Sequence, residues 1–159
     1  MLEIEVHFEN AYSAPTTIGD ATHAVGVYSL WTKRSTIRPT YLGQGHLVDR
    51  LRAAKKVARA PGYMPLVAVV EGPDAKAIAE IVEHLLLHCA EAVGRYPLEN
   101  GPRGTGSALE ESLDAEAMVS ITISGRDPLR GSRLTEAKVM GAWLDDDEDV
   151  VFSIPWQRL

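Results

Sequence analysis

Residues 2–9 alternate without a break: Leu2, Ile4, Val6 and Phe8 fall on one side, Glu3, Glu5, His7 and Glu9 on the other. That period of two predicts a half-exposed strand. Three acids and one histidine share its polar side, and a solvated or charged-edge face accounts for them better than a metal face. Residues 10–23, rich in Ser, Thr, Pro, Gly and Asp, read as loop. Residues 24–31 and 38–43 are two short strands rich in aromatic and β-branched side chains, joined by the polar, basic string TKRSTI at hairpin length. Pro39 has no N–H to donate, so the second strand lies or begins at a sheet edge.

Residues 46–59 change to a helical period. Leu47, Leu51, Ala54 and Ala58 share one face, with Val48 and Val57 at its margins. Arg52, Lys56 and Arg59 lie well away from that face, whereas Arg50 falls at its border. Residues 64–70 form an almost continuous apolar run, the mark of a central strand covered on both sides. Residues 74–93 give the clearest helix, with Asp74 as N-cap and Gly94 as its stop. Ile78, Ile81, Val82, Leu85, Leu86, Cys89 and Val93 make its core face. Glu80 and Glu91 lie opposite, and Glu83 sits nearer the core, beside Ala79 and Ala90. Residues 94–106 read as loop, and Ser107 with Glu110 forms a capping box for a short helix to about residue 117. Residues 119–124 are a strand, 133–144 a helix, and 150–154 a final strand, with the acidic run at 145–149 a solvated turn. No internal repeat or interdomain linker interrupts residues 1–159, which are read as a single domain.

Composition adds exclusions. With 45% apolar and 24% charged residues, the 159-residue chain is a globular domain, neither collagenous nor disordered. No apolar run approaches the roughly 18 residues of a membrane helix, and the N-terminal string MLEIEVHFEN is not a secretory signal. The single cysteine, Cys89, excludes an internal disulfide and a four-thiolate zinc site. A cytoplasmic protein is expected.

Charge changes the picture more. The net charge is −6, yet residues 26–59 hold eight of the sixteen bases against one acid, Asp49. These are Lys33, Arg34, Arg38, Arg50, Arg52, Lys55, Lys56 and Arg59. A compact positive field on an acidic body suits a polyanion gripped at one place.

Two hairpin strands each present a tyrosine, in GVY (26–28) and YLG (41–43). The next helix carries Arg50 at the margin of its buried face, and the one after carries Glu83 in a similar position. This order, with these strings, resembles the GIY-YIG nuclease family over about residues 24–101. GQGHLVDRL resembles the family's turn and helix start, EGPDAKAIAEIVEHLLL its metal-binding helix, and RYPLENG the loop that closes its core. The resemblance implies an α/β fold with a small, mainly antiparallel three-stranded sheet flanked by helices. Strands and helices from both ends would extend it, with residues 102–159 a C-terminal extension. It implies a DNA endonuclease using Mg²⁺ or Mn²⁺, with Tyr28 as base, Tyr41 orienting water or phosphate, Arg50 on the phosphate, Glu83 as metal ligand, and Asn100 as the family's asparagine. Lys33, Arg34, Arg38, Arg52, Lys55, Lys56 and Arg59 would then hold DNA. The chain departs from the pattern in places: twelve residues separate the two triplets, and Ala54 stands where many members carry a histidine.

The residue types suit that chemistry on their own terms. One carboxylate can hold a Mg²⁺ that keeps most of its waters. A guanidinium offers a planar fork to a phosphate. A tyrosine is a poor base at its usual pKa of about 10, but a neighbouring Arg⁺ can lower it, or it can hand its proton on. Taken singly, each residue also has an ordinary explanation: strand aromatics, a border arginine, a solvated helix acid, an Asn-Gly turn. A binding module that has lost turnover is the alternative reading. Glu80, His84 and His88 share a helix face but lack the internal Glu of a zinc-protease helix. GPRGTG lacks the Lys-Ser/Thr of a phosphate loop.

Overall fold

A computed structural model of the chain describes residues 2–10, 24–30, 41–54, 65–93, 118–126, 128, 143–144, 147 and 149–155. Strand β1 (Leu2–Asn10) is followed by the hairpin pair β2 (Val25–Leu30) and β3 (Tyr41–His46). Helix α1 (Leu47–Ala54), strand β4 (Leu66–Val70) and helix α2 (Ala75–Val93) come next. Strands β5 (Met118–Gly125), β6 (Trp143–Leu144) and β7 (Val150–Pro155) complete the described elements. The class is α/β, and the seven strands form one mixed sheet in the order β3-β2-β4-β1-β5-β7-β6.

All neighbouring strands are antiparallel except β1 and β5, which run parallel from Leu2↔Val119 to Phe8↔Gly125. Among the described residues β1 meets β4 through Glu9↔Val67 and Asn10↔Leu66, so it joins two halves of the sheet. Its alternation survives intact: Ile4, Val6 and Phe8 are buried while Glu3, Glu5 and His7 are exposed. The expectation of a charged edge is corrected in one respect. β1 lies mid-sheet, and its acids are on an open face, not on an edge. His7 on that face meets Ser124 of β5 at 2.9 Å.

β4 is flanked by β2 and β1 and is buried along most of its length, as its apolar run predicts. β3 is an edge strand, as Pro39 suggested, and it runs three residues beyond the expected end at Gly43. The helix therefore starts at Leu47, whose N–H donates to the Ala24 carbonyl at 2.8 Å and ties α1 to the start of β2. Two apolar clusters occupy the two faces of this end of the sheet. Val27, Leu42 and Ala68 join Ile81, Val82, Leu85 and Leu86 of α2 in the main core. Tyr28, Leu30 and Val67 pack with Leu47 and Leu51 of α1 in a smaller one.

Helix α2 starts where the sequence placed it: Asp74 contributes its carbonyl to the N–H of Ile78 at 2.9 Å, the first helical bond. Val119, Ile121 and Ile123 alternate inward on β5. The helix expected at 133–144 is corrected at its end, because Trp143 and Leu144 pair with Val151 and Val150 as strand. Within the acidic run, Asp147 is an exposed turn residue and Asp149 is half-buried. The loop at 11–23, the helix expected from Ser107 and residues 133–142 lie outside the described residues. Among the described residues, no helix is long and apolar enough to cross a membrane.

Candidate active site

The site is built on a hairpin register. Tyr28 of β2 stands opposite Gly43 of β3, and Leu30 stands opposite Tyr41. Residues two apart on a strand share a face, so Tyr41, Gly43 and Tyr28 lie on the same side of the sheet. The two phenol rings stack with centroids 6.1 Å apart and planes 16° from parallel. Gly43 makes this possible: a Cβ there would fall on the Tyr28 hydroxyl. The glycine of the second triplet is thus the space filled by the tyrosine of the first.

Gly26 and Gly45 are directly opposite each other in the same ladder. A Cβ on Gly26 would run into the Ala68 carbonyl oxygen and come within 2.9 Å of the Leu47 side chain. At Gly45, with φ of +130°, a Cβ would come within 2.9 Å of Arg50 Nε. The guanidinium of Arg50 therefore rests over the β3 backbone near the tyrosines. By total area Arg50 is exposed, while Leu47 is buried and Leu51 half-buried on the face that α1 turns to the sheet.

Glu83 comes from α2 and is half-buried, three residues after Glu80 on the same helix. Its carboxyl is pushed up to about 7 by burial first and then by the Glu80 charge, while Arg50 pulls it down. The Tyr28 phenol is pushed well above its usual value. Burial is the main cause, and the charges of Tyr41 and Glu83 and a hydrogen bond to Tyr41 act in the same direction. Arg50 again opposes. Tyr28 thus feels the charges of Tyr41, Arg50 and Glu83, and Glu83 feels that of Arg50, although the four come from four different elements.

One expectation is corrected here. The sequence suggested that Arg50 would lower Tyr28, and it does so, but desolvation of a side chain only 4% exposed is stronger. Tyr28 is a buried aromatic as well as a cleft residue; Tyr41 is the more open of the pair.

Asn100 lies outside the described residues, as do Lys33, Arg34, Arg38, Lys55, Lys56 and Arg59. Arg52 falls within α1, but its side chain is outside them too. Among the described residues, no three His, Cys, Asp or Glu side chains are grouped to hold a metal, so Glu80, His84 and His88 form no such set. In the sequence Gly43 and Gly45 stand only as parts of the strings YLG and GQGHLVDRL, and their spatial task emerges in the fold. The signal was there: two glycines in a six-residue strand demand a packing reason.

Compared with models of known protein families, with curated proteins and with solved structures, the chain matches none.

Proposed function

We propose that the chain is a metal-dependent DNA endonuclease of the GIY-YIG type, hydrolysing phosphodiester bonds with one divalent cation. The meeting of Tyr28, Tyr41, Arg50 and Glu83 at one end of the sheet carries this reading. Support also comes from the antiparallel order β3-β2-β4, with α2 against it, an arrangement compatible with the small core that the resemblance implies.

Glu83 fits a hard divalent cation. It is a half-buried carboxyl held up by burial and by a like charge at Glu80, a repulsion that a cation relieves. Mg²⁺ asks for only one or two carboxylates and keeps its remaining waters. Mg²⁺ or Mn²⁺ held by Glu83 would neutralise the phosphate and the leaving oxygen and make a bound water more acidic. Arg50 offers its fork to the phosphate from above Gly45. Tyr28 is protonated near neutral pH, so it works as a relay: it accepts the proton of the attacking water as it passes its own to Tyr41. Tyr41, half-buried, releases a proton to solvent. The basic residues Lys33, Arg34, Arg38, Arg52, Lys55, Lys56 and Arg59 would hold the DNA backbone.

A specific observation favours a second reading. A Tyr28 held above its usual pKa and a Glu83 at about 7 also suit a nucleic-acid-binding module without turnover. Incubating supercoiled plasmid with the protein, with and without Mg²⁺, separates the two. Mg²⁺-dependent nicking lost in Glu83→Gln supports the nuclease. Binding without nicking supports the module, and neither binding nor nicking overturns both.

A further inference from the structure

Beside the tyrosine cluster lies a second feature that the proposed chemistry leaves unused. A cavity of about 490 Å³ is lined by Val25, Gln44, Gly45, His46, Asp49, Arg50 and Lys76. Its volume falls in the range of roughly 300–1,000 Å³ typical of small-molecule sites. None of Tyr28, Tyr41 and Glu83 lines it, yet Arg50 belongs to both places.

The lining comes from four elements around the end of the edge strand. Gln44 and His46 lie on the β3 face opposite Tyr41 and Gly43, where Val25 of β2 pairs with His46. Lys76 is in the first turn of α2, and Asp49 and Arg50 are in α1. Among the described lining residues an arginine, a lysine and a histidine face a single acid, so the cavity favours an anion. Val25 adds an apolar wall. Gln44 adds something more specific: its side-chain oxygen is buried with no hydrogen-bond partner among the described residues. An acceptor left dry in this way is costly, and turning the carboxamide towards a donor in the cavity removes the cost. Anion-binding cations, an apolar wall and an amide able to pair with a base edge match the phosphate, the base face and the base edge of a nucleotide.

We propose that this cavity holds one nucleotide of the substrate strand, the neighbour of the scissile phosphate. Lys76 and Arg50 take its phosphate, Val25 meets the face of its base, and Gln44 meets the base edge. Arg50, placed at the seam, spans the two successive phosphates. This rests on the nuclease reading, and it makes Lys76, His46 and Gln44 positioning residues for the strand.

The test is binding of a short oligonucleotide without divalent cation, across a salt series. Lys76→Gln should weaken binding about five- to tenfold and reduce the slope of log K against log salt by nearly one for the lost phosphate contact. Lys76→Arg should restore both. A companion titration follows the His46 ring protons by NMR while adding deoxyadenosine monophosphate, deoxyadenosine or inorganic phosphate. The monophosphate should shift them at the lowest concentration, and Gln44→Leu should reduce its advantage over inorganic phosphate. If wild type binds and cuts DNA but Lys76→Gln keeps the full salt slope, the subsite is wrong and the nuclease reading stands. Equal potency of inorganic phosphate and the monophosphate would refute the nucleotide assignment. A wild-type chain that binds no DNA at all removes the reading and the inference together.

Discussion

Tyr28 stands directly across the β2–β3 ladder from Gly43, in the space where any side chain at Gly43 would lie. The first consequence concerns that space. Gly43→Ala should push the Tyr28 ring out of its stack with Tyr41. Overpacking of this kind costs about 1–3 kcal/mol. The variant should melt several degrees below wild type and lose most cleavage. Because the nearest atom is the hydroxyl, Gly43→Ala combined with Tyr28→Phe should regain part of the lost stability. Thermal melts of the two single variants and the double variant measure that coupling. Strictly additive losses would mean that the two positions do not compete for the same volume.

The phenol oxygens give a second prediction. Tyr28→Phe removes the oxygen of a buried residue that is hydrogen-bonded to Tyr41, so it should cost about 1 kcal/mol. Tyr41→Phe, at a half-buried position, should cost less. If the pair relays the proton of the attacking water, Tyr28→Phe should slow single-turnover cleavage about 10²–10⁴-fold, with a smaller loss for Tyr41→Phe. A stable Tyr28→Phe protein cutting at the wild-type rate would falsify the relay.

What could be read in the chain before its fold was local. The alternation of Leu2 to Phe8, the apolar run into Val70 and the helical period from Ala75 onward each state their own element. The order of Tyr28, Tyr41, Arg50 and Glu83 was legible because hairpins and the helices after them keep chain neighbours close in space. Placement in the sheet was not legible. β1 pairs in parallel with β5 more than a hundred residues away, and nothing local encodes a partner at that distance. The continuation of β3 through Gly43, Gln44, Gly45 and His46 was hidden because glycine is a poor strand former. Here glycine is present for the ring and guanidinium above it. The rise of Tyr28 came from burial by the whole small core, a quantity that spacing along the chain does not carry.

Glu83 predicts a trade between stability and activity. Its carboxyl sits at about 7 in the folded protein against an ordinary 4.5. Below about pH 4.5 it is protonated in both the folded and unfolded chains and carries no penalty. Between 4.5 and 7 the unfolded chain releases its proton first, so the folded state loses relative stability as pH rises. Above 7 the loss is complete, about 1–2 kcal/mol once solvent screening of a half-buried group is allowed for. Glu83→Gln should therefore raise Tm at pH 8 by a few degrees and leave it nearly unchanged at pH 4.5, while abolishing Mg²⁺-dependent cleavage. Melting curves at the two pH values test this; equal shifts at both would show that ionisation is not the cause.

Arg50 holds the last prediction, because it pulls both Tyr28 and Glu83 downward. At subsaturating Mg²⁺, protons compete with the cation for Glu83. The wild-type cleavage rate should then climb with pH through a midpoint near 7, and the midpoint should fall as Mg²⁺ is raised. Arg50→Gln removes the opposing positive charge and moves the midpoint to higher pH. The same change also removes the donor fork from the phosphate, a loss on the order of 10²–10³ in rate where such a donor acts on developing charge. Arg50→Lys separates the two effects. Its ammonium keeps the charge, so the midpoint should stay near that of wild type, but it lacks the planar fork, so the rate should still fall. Cleavage rates of the three proteins from pH 5.5 to 9, at two Mg²⁺ concentrations, resolve midpoint from amplitude. One midpoint shared by wild type and Arg50→Gln would show that the guanidinium does not act on Glu83. A full rate in Arg50→Lys would reduce its part to charge alone.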